Sequence, residues 1–330
     1  MQNSYYILSN GEISRKDNTL RLCNEEGKVS DIPIEKVYDI YVFGQVSLNS
    51  ALLNLLSKYR VAVHFFNFYE YYIGSFYPKE ENVAGALLVE QAAFYSDPAK
   101  RCVLARKFVR GSAENILRTI AYYNNRGREL EAATETIERL LSDLNEYNEI
   151  PAIMGIEGNI RKEYYSVWTQ IINRDVDFER RVKRPPDNMV NSLISLLNSV
   201  LYGKVVSEIY KTQLNPSISY LHEPFTKRFS LALDVAEIFK PLIVDRFIFS
   251  LLNKSEIDEN DFTSDSNGIR LKDSAFKTIM KKFDDRLNTT IRHRSLKRDV
   301  SYRYLIRLEL YKLIKHLIGD KEYEPFKIWW

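Results

Sequence analysis

Short apolar segments with the composition of β-strands occupy about the first 77 residues of the chain, for example VYDIYVFG and VAVHFFNF. Val, Ile, Leu and Tyr dominate them, and the pairs at 10–11 (Asn-Gly) and 26–27 (Glu-Gly) separate them as hairpin turns do. Residues 47–60 instead carry apolar side chains at helical spacing after a serine or asparagine cap. This part of the chain is predicted to be β-rich with one helix.

A different pattern begins near residue 84, where glycine and proline become rare and apolar positions recur with a period of 3.6 residues. Six segments show this period and are predicted to be helices: 86–123, 128–148, 152–172, 187–212, 226–252 and 300–318. The polar stretch 253–268 is predicted to be a loop.

Together the two patterns predict an α+β fold. A small N-terminal β-rich domain, residues 1–83, is expected to precede a larger all-helical domain, residues 84–330. The join is expected within 77–85, where proline, charges and glycine cluster.

Composition excludes several classes of protein. With 45% hydrophobic and 28% charged residues over 330 positions, the chain has the balance of an ordinary globular protein. No apolar run approaches the roughly 18 to 20 residues of a membrane-spanning helix, and the first residues lack the pattern of a secretory signal. Two cysteines give neither a disulfide framework nor metal-ligand spacing. A cytoplasmic protein without a membrane partner is expected.

The net charge of +3 indicates little, but its distribution is uneven. Residues 128–149 carry seven acidic side chains against two arginines, and residues 281–330 carry thirteen basic side chains against seven acidic ones. Within the basic region, the stretch RHRSLKR at 292–298 concentrates four cations: Arg292, Arg294, Lys297 and Arg298. Such a stretch binds phosphate in some proteins and is a solvated surface in others.

A first candidate cluster lies in MGIEGNIRKEYYSVW, residues 154–168. On a helix, Glu157 and Arg161 would share one face with the aromatic side chains at 164 and 168. Glycines on both sides of Glu157 are unusual inside a helix and would allow another backbone or a ligand to come close. The alternative is that Glu157 only complements the dipole at a helix start.

A second cluster combines His222, in a loop-like segment, with Asp234 and Glu237 on the following predicted helix. The two acids are one turn apart and repel each other unless a cation lies between them. A divalent metal would supply that cation, and so would an arginine from 161, 228 or 246. One imidazole with two or three carboxylates suits Mg²⁺ or Mn²⁺ and could also accommodate Zn²⁺.

A third cluster precedes the predicted helix 187–212, where two prolines follow four cations: Arg180, Arg181, Lys183 and Arg184. Asp187 is positioned to cap that helix. Cations before a helix N-terminus add to its dipole and form a plausible phosphate site, while a basic loop that balances acids elsewhere is the alternative.

In combination, these clusters resemble the CRISPR adaptation integrase, the nuclease subunit that inserts new spacers into a repeat array. The matching stretches are GIEGNIRKEYY, RVKRPPDNMVNSLIS, LNPSISYLHEP and SLALDVAEIFKPLIVDR, in the order of that family. A β domain followed by a helical domain fits as well, so the resemblance covers nearly the whole chain.

The resemblance implies a divalent metal, Mg²⁺ or Mn²⁺, bound by three catalytic side chains: Glu157, His222 and Glu237. Many members carry aspartate at both positions of the acidic pair, whereas this chain has glutamate at the second. Glu237 is the expected direct ligand, with Asp234 beside it at the metal. The expected contacts to DNA are made by basic side chains: Arg161, Lys183, Arg184, Arg228, Arg292, Arg294, Lys297 and Arg298.

The implied reaction is attack of a DNA 3′-hydroxyl on a phosphodiester, in double-stranded or branched DNA. The implied assembly is a homodimer formed through the β domain, with a small ferredoxin-like companion protein that bridges two dimers. Two other interpretations stay open from the residues: a DNA-binding scaffold of the same fold without catalysis, and a helical interaction protein in which Asp234 and Glu237 only pair with arginines.

Overall fold

The short N-terminal apolar segments form β-strands, as predicted. The computed structural model describes residues 2–79, 82, 84–183, 185–224, 229–265 and 268–330. The N-terminal elements are β1 (Asn3–Ile7), β2 (Gly11–Lys16), β3 (Thr19–Asn24), β4 (Val29–Pro33), β5 (Val37–Val42), β6 (Val46–Leu48), α1 (Ser50–Lys58), β7 (Val63–Phe66) and β8 (Tyr72–Phe76).

Two four-stranded sheets organise these elements. One has the order β1-β5-β7-β8 and is parallel except for the antiparallel pair β7–β8. The other has the order β4-β3-β2-β6, with antiparallel hairpins and a parallel β2–β6 pair. Helix α1 begins after Asn49, whose side chain accepts a hydrogen bond from the Leu52 amide. Apolar side chains from both sheets and the helix, such as Ile13, Ile40 and Leu56, form one buried core.

Most of the remaining chain is helical, which confirms the α+β class. Its elements are α2 (Gly85–Ser96), α3 (Pro98–Asn124), α4 (Glu131–Asp143), α5 (Ile150–Ser166), α6 (Trp168–Ile171), α7 (Met189–Tyr210), α8 (Ser230–Lys240), α9 (Arg246–Asn253), β9 (Phe262–Asp265), β10 (Gly268–Leu271), α10 (Asp273–Asn288), β11 (Thr290–Arg292), β12 (Asp299–Ser301) and α11 (Tyr302–Leu317).

Two helix starts differ from the prediction. The segment 86–123 is two helices, because Asp97 ends α2 and its side chain accepts hydrogen bonds from the amides of Ala99 and Lys100 at the start of α3. Helix α7 is capped by Asn188, not by Asp187 as expected. The Asp187 carboxylate instead accepts side-chain hydrogen bonds from Asn188 and Asn191.

The stretch after residue 253 is more ordered than predicted. Strands β9 and β10 form an antiparallel hairpin where the sequence predicted a loop up to 268, and α10 was not predicted at all. The chain divides into two compact units, one of residues 1–81 and 272–284 and the other of residues 82–271 and 285–330. The predicted two-domain division did not anticipate that residues 272–284 belong with the N-terminal strands.

An aromatic contact and a hydrogen bond explain this membership. The Phe276 ring packs edge-on against Phe43, with centroids 4.8 Å apart. The Tyr6 hydroxyl donates to the Asp284 carboxylate at 3.0 Å. Both contacts depend on side chains more than 200 residues apart, which periodicity alone does not relate.

Helix α7 is the central helix of the second unit and is more apolar than the sequence analysis anticipated. By length and composition it is the one described helix that could cross a membrane, but 83% of its most apolar window is buried inside the protein. Such burial is typical of a core helix in a globular protein.

Helices α5 and α8 carry the predicted acidic residues. Helix α8 continues through a π-helical turn, Pro241–Asp245, directly into α9. Helix α3 packs against both α5 and α8. The fold therefore brings together two segments that lie about 80 residues apart in the sequence.

Candidate active site

Glu157 and Arg161 lie one turn apart on α5. The Arg161 Nε atom is 3.8 Å from Glu157 Oε1, and the arginine side chain is only 10% exposed. Gly155 and Gly158 flank Glu157, and a side chain at either glycine would meet no other atom within 4 Å. The α5 surface at these two glycines is therefore open, and the Glu157 side chain itself is 20% exposed.

Glu237 on α8 lies between two cations. Arg161 Nη2 donates to Glu237 Oε2 at 2.9 Å, and the Lys240 ammonium, one turn further along α8, pairs with Oε1. Burial opposes the charge of Glu237, but Lys240 and Arg161 outweigh it and hold the pKa of this carboxyl well below its usual range. Glu237 is thus a buried carboxylate that stays ionised.

Asp245 extends this ion-pair cluster. It lies at the end of the π-helical turn, is 1% exposed, and its Oδ2 is 3.4 Å from Arg161 Nη1. Burial raises the pKa of Asp245 to about 6, although the Arg161 charge works in the opposite direction. Ser112 on α3 also accepts from Arg161, at 3.3 Å. Each π-helical turn inserts an extra residue, and such turns occur frequently at functional sites.

Asp234 and His222 form a second arrangement, between α8 and the loop before it. Both oxygens of the fully buried Asp234 carboxylate accept hydrogen bonds from the loop before the helix. The donors are Tyr220 N at 2.7 Å, Leu221 N at 3.0 Å, His222 N at 3.0 Å and His222 Nδ1 at 2.8 Å. Asp234 therefore fixes the orientation of the imidazole, so that Nε2 is the ring nitrogen turned away from this carboxylate.

The hydrogen bond also shifts the pKa of the imidazole. Burial would lower the pKa of His222, but the hydrogen bond and charge of Asp234, together with the charge of Glu237, raise it above its ordinary value. A histidine whose tautomer and orientation are set by a carboxylate is the usual arrangement for a metal-binding imidazole.

Replacing Asp234 by asparagine should lower the predicted DNA cleavage without abolishing metal binding. Asp234 would be the partner that orients a metal ligand if His222 binds the metal predicted from the sequence, and such partners typically contribute 10- to 100-fold in metal affinity or activity. We expect a loss in this range for Asp234→Asn, partly recovered by raising the concentration of Mn²⁺. Cleavage rates against metal concentration test this; an activity as low as that of His222→Ala at every metal concentration would contradict it.

Three of the predicted side chains act on one another electrostatically. Burial and the nearby Glu237 charge raise the pKa of Glu157, and the charge of His222 lowers it. The structure thus brings Glu157, Glu237 and His222 into one region. Within the described residues, no group of three or more His, Cys, Asp or Glu side chains is already arranged to hold a metal ion. The metal and its ligand set therefore stay predictions.

The donor types nevertheless fit a hard divalent cation. Two carboxylates from different helices and one oriented imidazole approach each other, and the acids repel unless a cation lies between them. Lys240 and Arg161 supply the positive charge in this structure. Sequence reasoning missed Lys240 and Asp245. The spacing of Lys240, three residues after Glu237, was a visible signal, whereas nothing local pointed to Asp245.

The predicted DNA-binding residues occupy different environments. Arg161 is 8% exposed and bonded to carboxylates, so in this structure it holds acids together. Lys183 is exposed in the loop before α7, and Arg184 and Arg228 lie outside the described residues. The exposed cations of 292–298 are on a β-hairpin formed by β11 and β12: Arg292, Arg294, Lys297 and Arg298.

Comparison with known proteins gives consistent matches over the whole chain. The family model described as CRISPR associated protein Cas1 matches residues 5–285. The CRISPR-associated endonuclease Cas1 of Fusobacterium nucleatum subsp. nucleatum is 52% identical over 330 residues, covering 100% of this chain and 98% of the relative. A CAS1 protein from Thermotoga maritima has a TM-score of 0.89 and 40% identity, covering 99% of this chain and 100% of the other.

Two more distant structures share the fold. A casposase bound to integration product has a TM-score of 0.86 at 21% identity, covering 98% of this chain and 93% of the other. A chain of a Cas6-RT-Cas1–Cas2 complex also has a TM-score of 0.86, at 16% identity, covering 100% of this chain and 36% of the other.

Proposed function

Since this chain belongs to the family of CRISPR associated protein Cas1, we propose that it is a divalent-metal-dependent DNA endonuclease and integrase of CRISPR adaptation, which inserts new spacers into the repeat array. The name of its relative as a CRISPR-associated endonuclease supports the nuclease activity. The casposase seen with its integration product has the same fold, which is compatible with strand transfer.

The observation that carries the proposal is the convergence of Glu157 and Glu237, both within 4 Å of Arg161, with a His222 that Asp234 orients one turn away on α8. These three side chains would hold Mg²⁺ or Mn²⁺ through two carboxylates and the imidazole Nε2. Bound there, the metal would polarise the phosphodiester and stabilise the oxygen that leaves.

The protein's own residues would prepare this site and orient the DNA. Arg161 keeps Glu237 ionised and in place, and Asp234 holds the imidazole. Exposed cations, Lys183 and those of the β11–β12 hairpin, would neutralise DNA phosphates and set the register without reading sequence. A DNA 3′-hydroxyl then forms the new bond to phosphorus as the old ester oxygen leaves; attack by water gives cleavage. No covalent protein nucleophile is required.

The proposed assembly is a homodimer that works with a small ferredoxin-like companion protein. A structural neighbour comes from a Cas6-RT-Cas1–Cas2 complex, which supports a partner protein of the Cas type. Dimerisation through the β domain rests on the family resemblance alone.

One observation favours a second candidate, the non-catalytic scaffold. Both oxygens of Glu237 are engaged by protein cations, Arg161 and Lys240, so this carboxylate has partners without a metal. In a catalytic site the ammonium of Lys240 would have to give way or share the carboxylate.

Metal dependence separates the two candidates. We expect the wild-type chain to cleave and join branched DNA with Mn²⁺ or Mg²⁺ and to stop in EDTA. We also expect the metal to raise the melting temperature, because a ligand that binds only the folded state stabilises it by about 2.7 kcal/mol at 100 times its Kd. Gel assays with and without the companion protein, together with thermal melts, measure both effects. Melting temperatures that ignore the metal and an absence of turnover with the companion present would support the scaffold.

A further inference from the structure

The last residues of the sequence are held against α3 and α11 by buried polar side chains. Asn115 donates to the Phe326 carbonyl at 3.0 Å and accepts from the Ile328 amide at 2.8 Å. Glu309 accepts from the Phe326 amide at 3.0 Å and from the Tyr323 hydroxyl. Because Asn115 and Glu309 are buried, this segment has a defined path up to Ile328.

That path places two indole rings at the surface. The Trp329 and Trp330 rings meet edge to face, with centroids 4.8 Å apart. Trp330 also lies nearly parallel to Tyr302, at 5.9 Å, and remains 45% exposed. A large exposed indole held by neighbouring rings loses little conformational entropy when it binds a second flat group.

The β11–β12 hairpin brings an arginine and an imidazole to Trp329. Its turn is closed by backbone hydrogen bonds from His293 N to Arg298 O at 2.9 Å and from Lys297 N to His293 O at 3.0 Å. Arg294 Nη2 donates to the Trp329 carbonyl at 3.2 Å, and its guanidinium lies 5.8 Å from the Trp329 centroid. The His293 ring packs edge-on against Trp329 at 5.6 Å.

Positive charge dominates this surface. The hairpin exposes four cations and one acid, Asp299, whose carboxylate lies 3.9 Å from the Arg292 guanidinium. The Arg298 guanidinium is oriented by the Tyr304 hydroxyl at 3.3 Å. Arg294 is held at Trp329 and Arg298 at Tyr304, and the same region exposes the Trp330 ring. Such a surface fits a polyanion that also offers flat apolar faces.

We propose that the β11–β12 hairpin and Trp330 form a binding site for an unpaired DNA strand, with a base stacked on the indole and phosphates on Arg294, Lys297 and Arg298. The proposal rests on the proposed function only in taking DNA as the polyanion. Proteins bind single strands by this combination of aromatic platforms and basic grooves. In a duplex the bases are already stacked on each other, so duplex DNA offers this surface only its phosphates.

Stacking on Trp330 makes single-strand affinity sensitive to this side chain. Loss of one stacked base costs about 5- to 150-fold in Kd, the equivalent of about 1–3 kcal/mol. We expect Trp330→Ala to weaken binding of a fluorescent oligo-dT of 12 nucleotides within this range and a matched 12-bp duplex by less than about threefold. Trp330→Phe should recover part of the affinity, and Tyr147→Ala, which removes another exposed ring, should change neither.

The measurements use the full chain in EDTA, so that no cleavage occurs. Anisotropy gives the Kd, and tryptophan fluorescence reports contact directly, since Trp168 is fully buried and only Trp329 and Trp330 are near the surface. Oligo-dT should quench this emission in the wild type. Arg294→Ala should lower the slope of log Kd against log salt by about 0.7, the value for one phosphate of a single strand.

The proposal would be overturned if Trp330→Ala lost equal affinity for the single strand and the duplex, or if oligo-dT did not quench the emission. It would also be overturned if Trp330→Ala bound DNA unchanged but associated more weakly with the companion protein or with a second copy of the chain. The last result would assign the indole to a protein interface. The test is independent of catalysis, because a chain that binds oligo-dT through Trp330 yet never cleaves with any metal would refute the proposed enzyme and keep the single-strand site.

Discussion

Replacing Glu157 by glutamine is expected to lower metal-dependent cleavage and strand transfer by more than about 100-fold, the upper end of what loss of an indirect metal partner costs. The amide keeps the size of the side chain but removes one of two negative charges that would bind the metal. Stability should change little, because Arg161 keeps its partners Glu237 and Asp245. Initial rates on branched DNA with Mn²⁺, alongside a thermal melt, measure both.

Glu163→Gln is the matched control, since it makes the same chemical change on the same helix, six residues further on, and should keep the wild-type rate. His222→Ala should lose activity to a similar degree, which would show that the loop histidine acts in the same site as the helical acids. Wild-type rates in both Glu157→Gln and His222→Ala would show that the reaction takes place elsewhere.

The second large effect is on stability. Replacing Arg161 by methionine leaves the buried carboxylates of Glu237 and Asp245 without their shared cation. Breaking a buried ion pair by removing one partner typically costs about 3–5 kcal/mol, and we expect a loss of this size at pH 8. Arg161→Lys should be intermediate, because one ammonium cannot reproduce the fork of the guanidinium.

The loss should be smaller at pH 5. A carboxyl whose pKa is higher in the folded than in the unfolded state takes up a proton on folding, so folding is favoured as pH falls through the folded pKa. Burial already raises the pKa of Asp245 to about 6 with Arg161 present, and a protonated Asp245 needs no cation.

Urea unfolding at pH 5 and pH 8 measures this difference. Arg118→Met is the control, because Arg118 is exposed on α3 and should contribute within about 0.5 kcal/mol at either pH. A change below about 1 kcal/mol for Arg161→Met at both pH values would refute the role of Arg161 as the shared cation.

Arg161 also shows which contacts can be predicted from the sequence and which cannot. Its spacing from Glu157 correctly placed both on one helical face, because positions four apart are neighbours on any helix. The sequence also offered Arg161 as one possible cation for the acidic pair, and the structure pairs it with Glu237, 76 residues away in the chain. The burial of Arg161 and its second partner, Asp245, 84 residues away, were not foreseen. The same holds for α10, whose Phe276 packs against Phe43.

The acidic pair shows the complementary case. The motif indicated that Asp234 and Glu237 share a site with His222, and the structure distinguishes their contacts: Asp234 accepts four hydrogen bonds from the preceding loop, and Glu237 faces Arg161 and Lys240. A spacing of three residues puts both acids near one face of α8. Only the path of the preceding loop decides that its amides and the His222 imidazole donate to Asp234 and not to Glu237.

The sequence by itself determined what depends on near neighbours: the order of strands before helices, most helical segments, and the set of acids, histidine and cations from which a site could be made. Only the tertiary structure decided which of these side chains come into contact. It alone put Asp245, at the end of the π-helical turn, next to Arg161, and held Trp330 against Tyr302 and Trp329 at the end of the basic hairpin. The reason is physical, because periodicity and capping act over a few residues, whereas burial, charge pairing and pKa depend on every group that packing brings within a few ångströms.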